Sequence, residues 1–194
     1  ARLEIKQFQQ RVGITTIYVT HDQVEAMTLG DRIALLSQGK LMQLDTPMHL
    51  YNYPENRFAA GFIGSPPMNF ISGIFRKENE NYSFETKENC KFVLKESPPG
   101  LLNKLNEEIE IGFRPENVSL RKITDGEKEG CFGKVVAIEN MGNEQFVHLS
   151  LGSLSIIARV KSEPVIEVGA YFSLTFVENK LIFIEKESGR VLSE

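Results

Sequence analysis

From Asn69 onward apolar and polar side chains take turns, in stretches too short to read as helices: NFISGIFRK, NYSFETK, CKFVLK, EIEIGFRP, CFGKVVAIE, EQFVHLSL, SLSIIARVK, YFSLTFVE and KLIFIEKE, with turn residues between them. A period of two puts every second side chain on the same face of a strand, so each stretch has an apolar face that must be buried. Many short strands at regular spacing predict a β-barrel or a sandwich. The longest helical candidate in this part is SPPGLLNKL, residues 97–105. Gly142-Asn143 reads as a hairpin turn, because both residue types tolerate positive φ.

Before GSPPMN, residues 64–69, the pattern is of another kind, and the composition shifts there too. Residues 1–66 carry equal numbers of acidic and basic side chains, so the acidic excess lies in 67–194. The two ranges are expected to be separate domains. In the first, Ala1, Ile5, Phe8 and Val12 recur at helical spacing, and Gly13 can end that helix in the left-handed region. ITTIYV, short and rich in β-branched residues, predicts a buried strand. Asp22 followed by Glu25 has the spacing of a capping box, which starts a helix over DQVEAMTL with Gly30 at its end. RIALL and LMQLD predict strands joined by SQGK, and Thr46-Pro47 starts a short helix, MHLYN, that Pro54 closes. Alternating strands and helices predict an α/β fold. The chain begins inside a helical pattern without an initiator Met, as a piece of a longer protein would.

Charge narrows the function. The 194 residues hold 22 Lys and Arg against 26 Asp and Glu, a net charge of −4, which opposes a nucleic-acid partner because a phosphate backbone calls for a basic face. Cys90 and Cys131 are far apart in sequence with no secretory signal before them, which predicts free thiols in a reducing compartment. No apolar run nears the roughly 20 residues needed to cross a bilayer.

His21 is the residue that suggests chemistry. It follows the expected strand ITTIYV and precedes a helix start, where the free backbone N–H groups favour an anion and where ligands of open α/β sheets bind. An imidazole there can donate to a phosphate oxygen, and its charge responds near neutral pH. A helix-flanking surface histidine without function fits the same spacing. A metal site built on His21, Asp22 and Glu25 lacks matching donors at His49 or His148. Arg114-Pro115-Glu116 reads either as a strand end closed by a salt bridge or as a ligand contact. Tyr51, Tyr53, Phe58 and Phe62 read as packing residues.

The stretch TTIYVTHDQVEAMTLGDRIALLSQGKLMQLDTPMHLYNYPENRFAAGFIGSPPMNF resembles the end of the nucleotide-binding domain of ABC transporter ATPases, in the subgroup serving maltose-type and other carbohydrate importers. The resemblance continues through GFRPE, 112–116, and MGNE, 141–144, phrases of that family's C-terminal OB-type regulatory domain. It implies an α/β remnant of a nucleotide-binding domain over 1–66, followed by a mainly β OB-type barrel over 67–194. By its match to the THDQ segment, His21 is the switch histidine that contacts the ATP γ-phosphate. Arg114, Pro115, Glu116, Gly142, Asn143 and Glu144 fall on the motifs of the regulatory domain. ATP and Mg²⁺ are implied for the intact subunit and no cofactor for these residues alone. The implied partners are a second copy of the same subunit and transmembrane permease subunits, which would hold the protein on the cytoplasmic face of the membrane. A free-standing OB module that binds a small ligand is the competing reading.

The parts missing from these residues bound what they can do. There is no G-x-x-x-x-G-K-[ST] loop, since Leu41 follows Lys40 and Val135 follows Lys134. LSQG, 36–39, lies after the histidine on a turn and is not the family's LSGGQ signature. No apolar strand ends in Asp-Glu to hold Mg²⁺. Phosphoryl transfer depends on positioned charges, so these residues alone are expected to be inactive and the whole subunit to be a transport ATPase.

Overall fold

The computed structural model describes residues 2–78, 80–88, 90–94, 100–123 and 130–192. The chain divides into two compact units, Ala1–Ser65 and Pro66–Glu194.

The first unit holds four helices, α1 (Arg2–Val12), α2 (Gln23–Leu29), α3 (Pro47–Asn52) and α4 (Arg57–Phe62), and one hairpin of β1 (Ile33–Ser37) and β2 (Lys40–Asp45). Gly13 at φ +68 ends α1 and its N–H bonds to the Gln9 carbonyl at 2.9 Å. Ala1, the first residue of the expected α1 pattern, lies outside the described residues. The hairpin turns on Gln38 and Gly39, at φ 49 and 75, a left-handed pair that matches the twist of the flanking strands. Asn56 caps α4 by accepting from the Ala59 N–H at 2.9 Å and ties it to β2 through the Met42 carbonyl. Buried Gln43 accepts from the Glu55 N–H and donates to the Tyr53 carbonyl, so the segment after α3 is fixed by a side chain rather than by a strand. A small core of Leu35, Ala59 and Ile63 results.

One expectation for this unit fails. ITTIYV is not a buried strand: residues 14–19 belong to no sheet, and Ile17 and Val19 are 90% and 91% exposed. The cause is the missing ladder. A strand needs neighbours to take its backbone hydrogen bonds and cover both faces, and β1–β2 is the one sheet of the unit among the described residues. The parallel strands of an α/β sheet are therefore not seen here, because the hairpin is antiparallel.

The second unit is β-rich as expected. One five-stranded antiparallel sheet, order β12-β6-β3-β4-β5, is made of β3 (Asn69–Glu78), β4 (Asn81–Glu85), β5 (Lys91–Leu94), β6 (Glu108–Phe113) and β12 (Ile182–Glu185). The other, order β10-β9-β8-β11-β7, is made of β7 (Val118–Lys122), β8 (Cys131–Asn140), β9 (Glu144–Leu151), β10 (Leu154–Lys161) and β11 (Tyr171–Phe176). This second sheet curls until its outer strands β10 and β7 approach each other, the partly open shape of an OB-type barrel. Period-two burial is visible strand by strand, in β3 and most regularly in β9. β7 has no counterpart among the strands expected from the sequence. SPPGLLNKL holds one 3₁₀ turn, Leu102–Lys104, and its residues 97–99 lie outside the described residues, as does Lys95 of CKFVLK.

Both sheets feed one core. Phe75, Phe84 and Phe113 from the first sheet and Val135, Val147, Leu149 and Ile156 from the second are wholly buried. Phe176 of β11 packs against Phe92 and Phe113 with ring centroids at 5.0 and 4.8 Å, within the range where aromatic pairs attract. Gly73 lets β3 and β4 close up, since a Cβ there would sit 2.5 Å from the Glu85 carbonyl oxygen and 2.6 Å from the Phe84 ring.

Side chains join the sheets at their seams. The buried Asn69 amide donates to the Ile157 carbonyl and accepts from the Ile157 N–H, both at 2.8 Å. Cys90 and Cys131 are joined as a disulfide with their Cα atoms 4.2 Å apart, which corrects the expectation of free thiols. Distance along the chain, 41 residues, predicted separation, but the fold lays the entry of β5 beside the entry of β8. By loop-closure entropy alone such a crosslink stabilises a fold by about 4 kcal/mol. Asn69→Ala leaves the edge groups of Ile157 without partners and is expected to destabilise the protein by about 2–4 kcal/mol, read as a lowered urea midpoint in circular dichroism. An unchanged midpoint would show that water replaces the amide at no cost.

Candidate functional site

Thr20, His21 and Asp22 stand where the exposed segment 14–19 meets α2. Asp22 is the N-cap: its Oδ1 accepts from the N–H of Val24 at 2.7 Å and of Glu25 at 3.1 Å. The expected capping box forms by half. Its return bond goes elsewhere, because the Asp22 N–H donates to the Thr20 hydroxyl at 3.0 Å, while that hydroxyl donates to Glu25 Oε2 at 2.7 Å. Tyr18 adds a second donor to the same carboxylate at 3.1 Å, and Arg2 bridges to Asp22 Oδ2 at 3.0 Å. The signal for Thr20 was present in the sequence, since a Thr two residues before an N-cap Asp can form a local side-chain turn. Nothing in the spacing pointed to Arg2.

The charges follow from these bonds. Donation from the Glu25 and Val24 N–H groups, with Arg2 nearby, holds the Asp22 carboxyl below its ordinary range against the cost of desolvation. The hydrogen bond to Glu25 and the charge of its carboxylate raise the Tyr18 phenol. His21 is exposed, and its imidazole is held by none of these bonds. It lines a groove of about 700 Å³ together with Asp31, Arg32 and apolar Ile33, Leu35 and Ile63. No group of three or more His, Cys, Asp or Glu is gathered as a metal site among the described residues. Of the other histidines, Nδ1 of His49 lies 2.6 Å from Asp45 and Nε2 of His148 lies 2.7 Å from Glu139. The exposed Tyr53 ring lies tilted against His49 with centroids 4.8 Å apart, and Phe58 stacks on Phe62.

The remaining sequence-marked residues belong to the β-rich unit. Arg114, 3% exposed, follows β6, and Pro115 to Asn117 form a 3₁₀ turn leading into β7. Gly142 at φ +95 and Asn143 make the tip of the β8–β9 hairpin, closed by the Met141 N–H to the Glu144 carbonyl at 2.8 Å. Ser162 secures that tip by donating its hydroxyl to the Gly142 carbonyl, and Glu144 pairs with Arg159 at 2.7 Å. These two stretches therefore serve as a strand connection and a hairpin in this structure.

Two family models match this unit: the MalK OB fold domain over residues 64–118 and the TOBE domain over 111–184. The relatives extend the match to the first unit. The trehalose/maltose import ATP-binding protein MalK of Thermococcus litoralis is 36% identical over 199 residues, covering 98% of this chain and 52% of its own length. The chain matches the C-terminal part of the MalK-type ATP-binding subunits of ABC importers. The sn-glycerol-3-phosphate import ATP-binding protein UgpC of Cupriavidus necator is 35% identical over 199 residues, with 97% of this chain and 52% of its own length covered. A maltose/maltodextrin import ATP-binding protein of Vibrio cholerae is 40% identical over 151 residues, covering 77% of this chain and 39% of that protein. The chain thus spans about half the length of the relatives it matches. No helix among the described residues is long and apolar enough to cross a membrane.

The depressed Asp22 carboxyl has a definite sign. A carboxyl whose folded pKa lies below its unfolded value stabilises the fold above the ordinary aspartate range, and that contribution fades as pH falls through the folded pKa. A ¹³C titration of the Asp22 side chain is expected to show a midpoint below the ordinary value, moving upward in Arg2→Ala. A midpoint at or above the unfolded value would mean that the cap does not form in solution.

Proposed function

We propose that the chain is part of the ATP-hydrolysing subunit of an ABC importer and that His21 is its contact with the terminal phosphate of ATP. The observation that carries the reading is a match along nearly the whole chain, first unit included, to import ATP-binding proteins. A free-standing OB module would have no use for residues 1–65, so the match disfavours that alternative. The placement of His21 supports the role. It is exposed on a groove and directly precedes an N-cap whose geometry is pinned by Asp22, Thr20 and Glu25. ATP with Mg²⁺ would supply the phosphoanhydride and the charge that offsets its oxygens. The chain's own part is to present the imidazole at a fixed height beside the phosphate and to withhold competing partners from it.

The residues that would cradle the remaining phosphates are not among these 194. The solute is not written here either, because relatives named for trehalose/maltose and for sn-glycerol-3-phosphate match at almost equal identity. Choice of solute then belongs to other components of the importer. The β-rich unit is the regulatory domain in this reading, and its partners are a second copy of the subunit and the membrane-embedded permease, with the ATPase on the cytoplasmic face.

In the full-length protein, His21→Ala is expected to lower kcat on the order of 10²-fold or more while ATP affinity changes little, because the contact matters most as charge develops at the γ-phosphate. A variant that hydrolyses ATP at the parent rate would remove His21 from the mechanism. The 194-residue chain by itself should take up no ATP with micromolar affinity in calorimetry, having one phosphate contact where a cradle is needed. Stoichiometric tight binding there would contradict the reading.

A further inference from the structure

We propose that Cys90 and Cys131 are a thiol–disulfide switch that opens and closes one seam of the β-rich unit. The inference concerns that unit alone and stands whether or not the nucleotide reading holds. Three observations carry it. The pair is formed across the two sheets, with both cysteines almost wholly buried. Beside it, among the described residues, the seam is held by two further bonds only, the Lys91 N–H to the Gly130 carbonyl, long at 3.3 Å, and the exposed Ser153 hydroxyl to Glu88 at 2.6 Å. The crosslink also lies beside an edge strand, so reaching it calls for opening that strand rather than the whole sheet. Cys90 opens onto β5, four residues long, at the edge of its sheet and paired there to β4 alone.

Short edge strands open locally at less cost than global unfolding, so peeling β5 brings both sulfurs to solvent at the expense of the Phe92 and Leu94 contacts, while the Asn69–Ile157 seam and the Phe113–Phe176 contact persist. In the reduced state a thiolate of one cysteine attacks a low-molecular-weight disulfide, RSSR, and one RS⁻ leaves and is protonated. The second cysteine thiolate then attacks the mixed disulfide at the protein sulfur and expels the second RS⁻. The two cysteines lose two electrons and two protons in total, and RSSR becomes two RSH. Excess RSH reverses both steps. Closing the ring between residues 90 and 131 removes freedom from the unfolded chain, so the oxidised form should be the more heat-resistant.

The test equilibrates the native 194-residue chain in glutathione buffers of varied oxidised-to-reduced ratio, starting from each state, and counts free thiols by alkylation and intact mass. The expected result is one curve reached from both directions, running from two tags per chain to none without denaturant. Thermal denaturation at the two ends should differ by about 10 °C, the oxidised form melting higher. The proposal is overturned by thiols that stay free at every ratio, by a disulfide that opens only in denaturant, by a lasting glutathione adduct in place of the ring, or by equal melting temperatures. A Cys90→Ser, Cys131→Ser double variant should melt independently of the ratio. If that variant does not fold, the two-directional titration of the parent chain still decides.

Discussion

The β-rich unit depends on one side chain reaching across to a strand of the other sheet. β10 is an edge strand, paired with β9 on one side, and an edge carries backbone groups that must find partners once buried. Asn69 presents a carbonyl and an amide in the spacing of a peptide group and takes both groups of Ile157, 88 residues away. The residue opens β3, so the same amide fixes where the first sheet begins against the second. A hydrophobic residue there would bury as well but would leave two backbone groups unmet. The aromatic contacts of Phe176 with Phe92 and Phe113 then fill a space whose width the Asn69 bridge and the Cys90–Cys131 link have set.

What could be read from the sequence follows from how local each cause is. Strands such as β9 were legible because alternation is a property of neighbours in the chain, and the buried positions fall on every second residue. The starts of α2 and α3 were legible for the same reason, through Asp22 and Thr46-Pro47. β7 was missed because VSLRK is short and mostly polar: its apolar face is two residues, Val118 and Leu120, and pairing with β11 does the rest. The cysteine pair was missed because 41 residues of chain carry no trace of the sheet order that brings the two together.

Residues 14–19 show the opposite failure. Their β-branched, apolar character is strand-like by every local measure, yet no strand forms, because a strand buried on both faces is made by its neighbours as much as by its own residues. The exposed Ile17 and Val19 are what remains when the pattern is present and the ladder is not. Apolar side chains exposed in such a run mark a surface meant to be covered.

His21 sits at the boundary between that uncovered segment and a well-formed cap, and the two have different consequences for it. The cap is satisfied locally: Asp22 meets two helix N–H groups, and Thr20 links the Asp22 N–H to the Glu25 carboxylate. None of these bonds requires the missing sheet, so the backbone at His21 holds its direction even where residues 14–19 are unpaired. The carboxylates of Asp22 and Glu25 already have donors of their own. Had the full capping box formed, Glu25 would have turned back to the Asp22 N–H, and Thr20 would have lost both of its partners. The diversion of that carboxylate to Thr20 and Tyr18 therefore stiffens the approach to His21 rather than the helix after it.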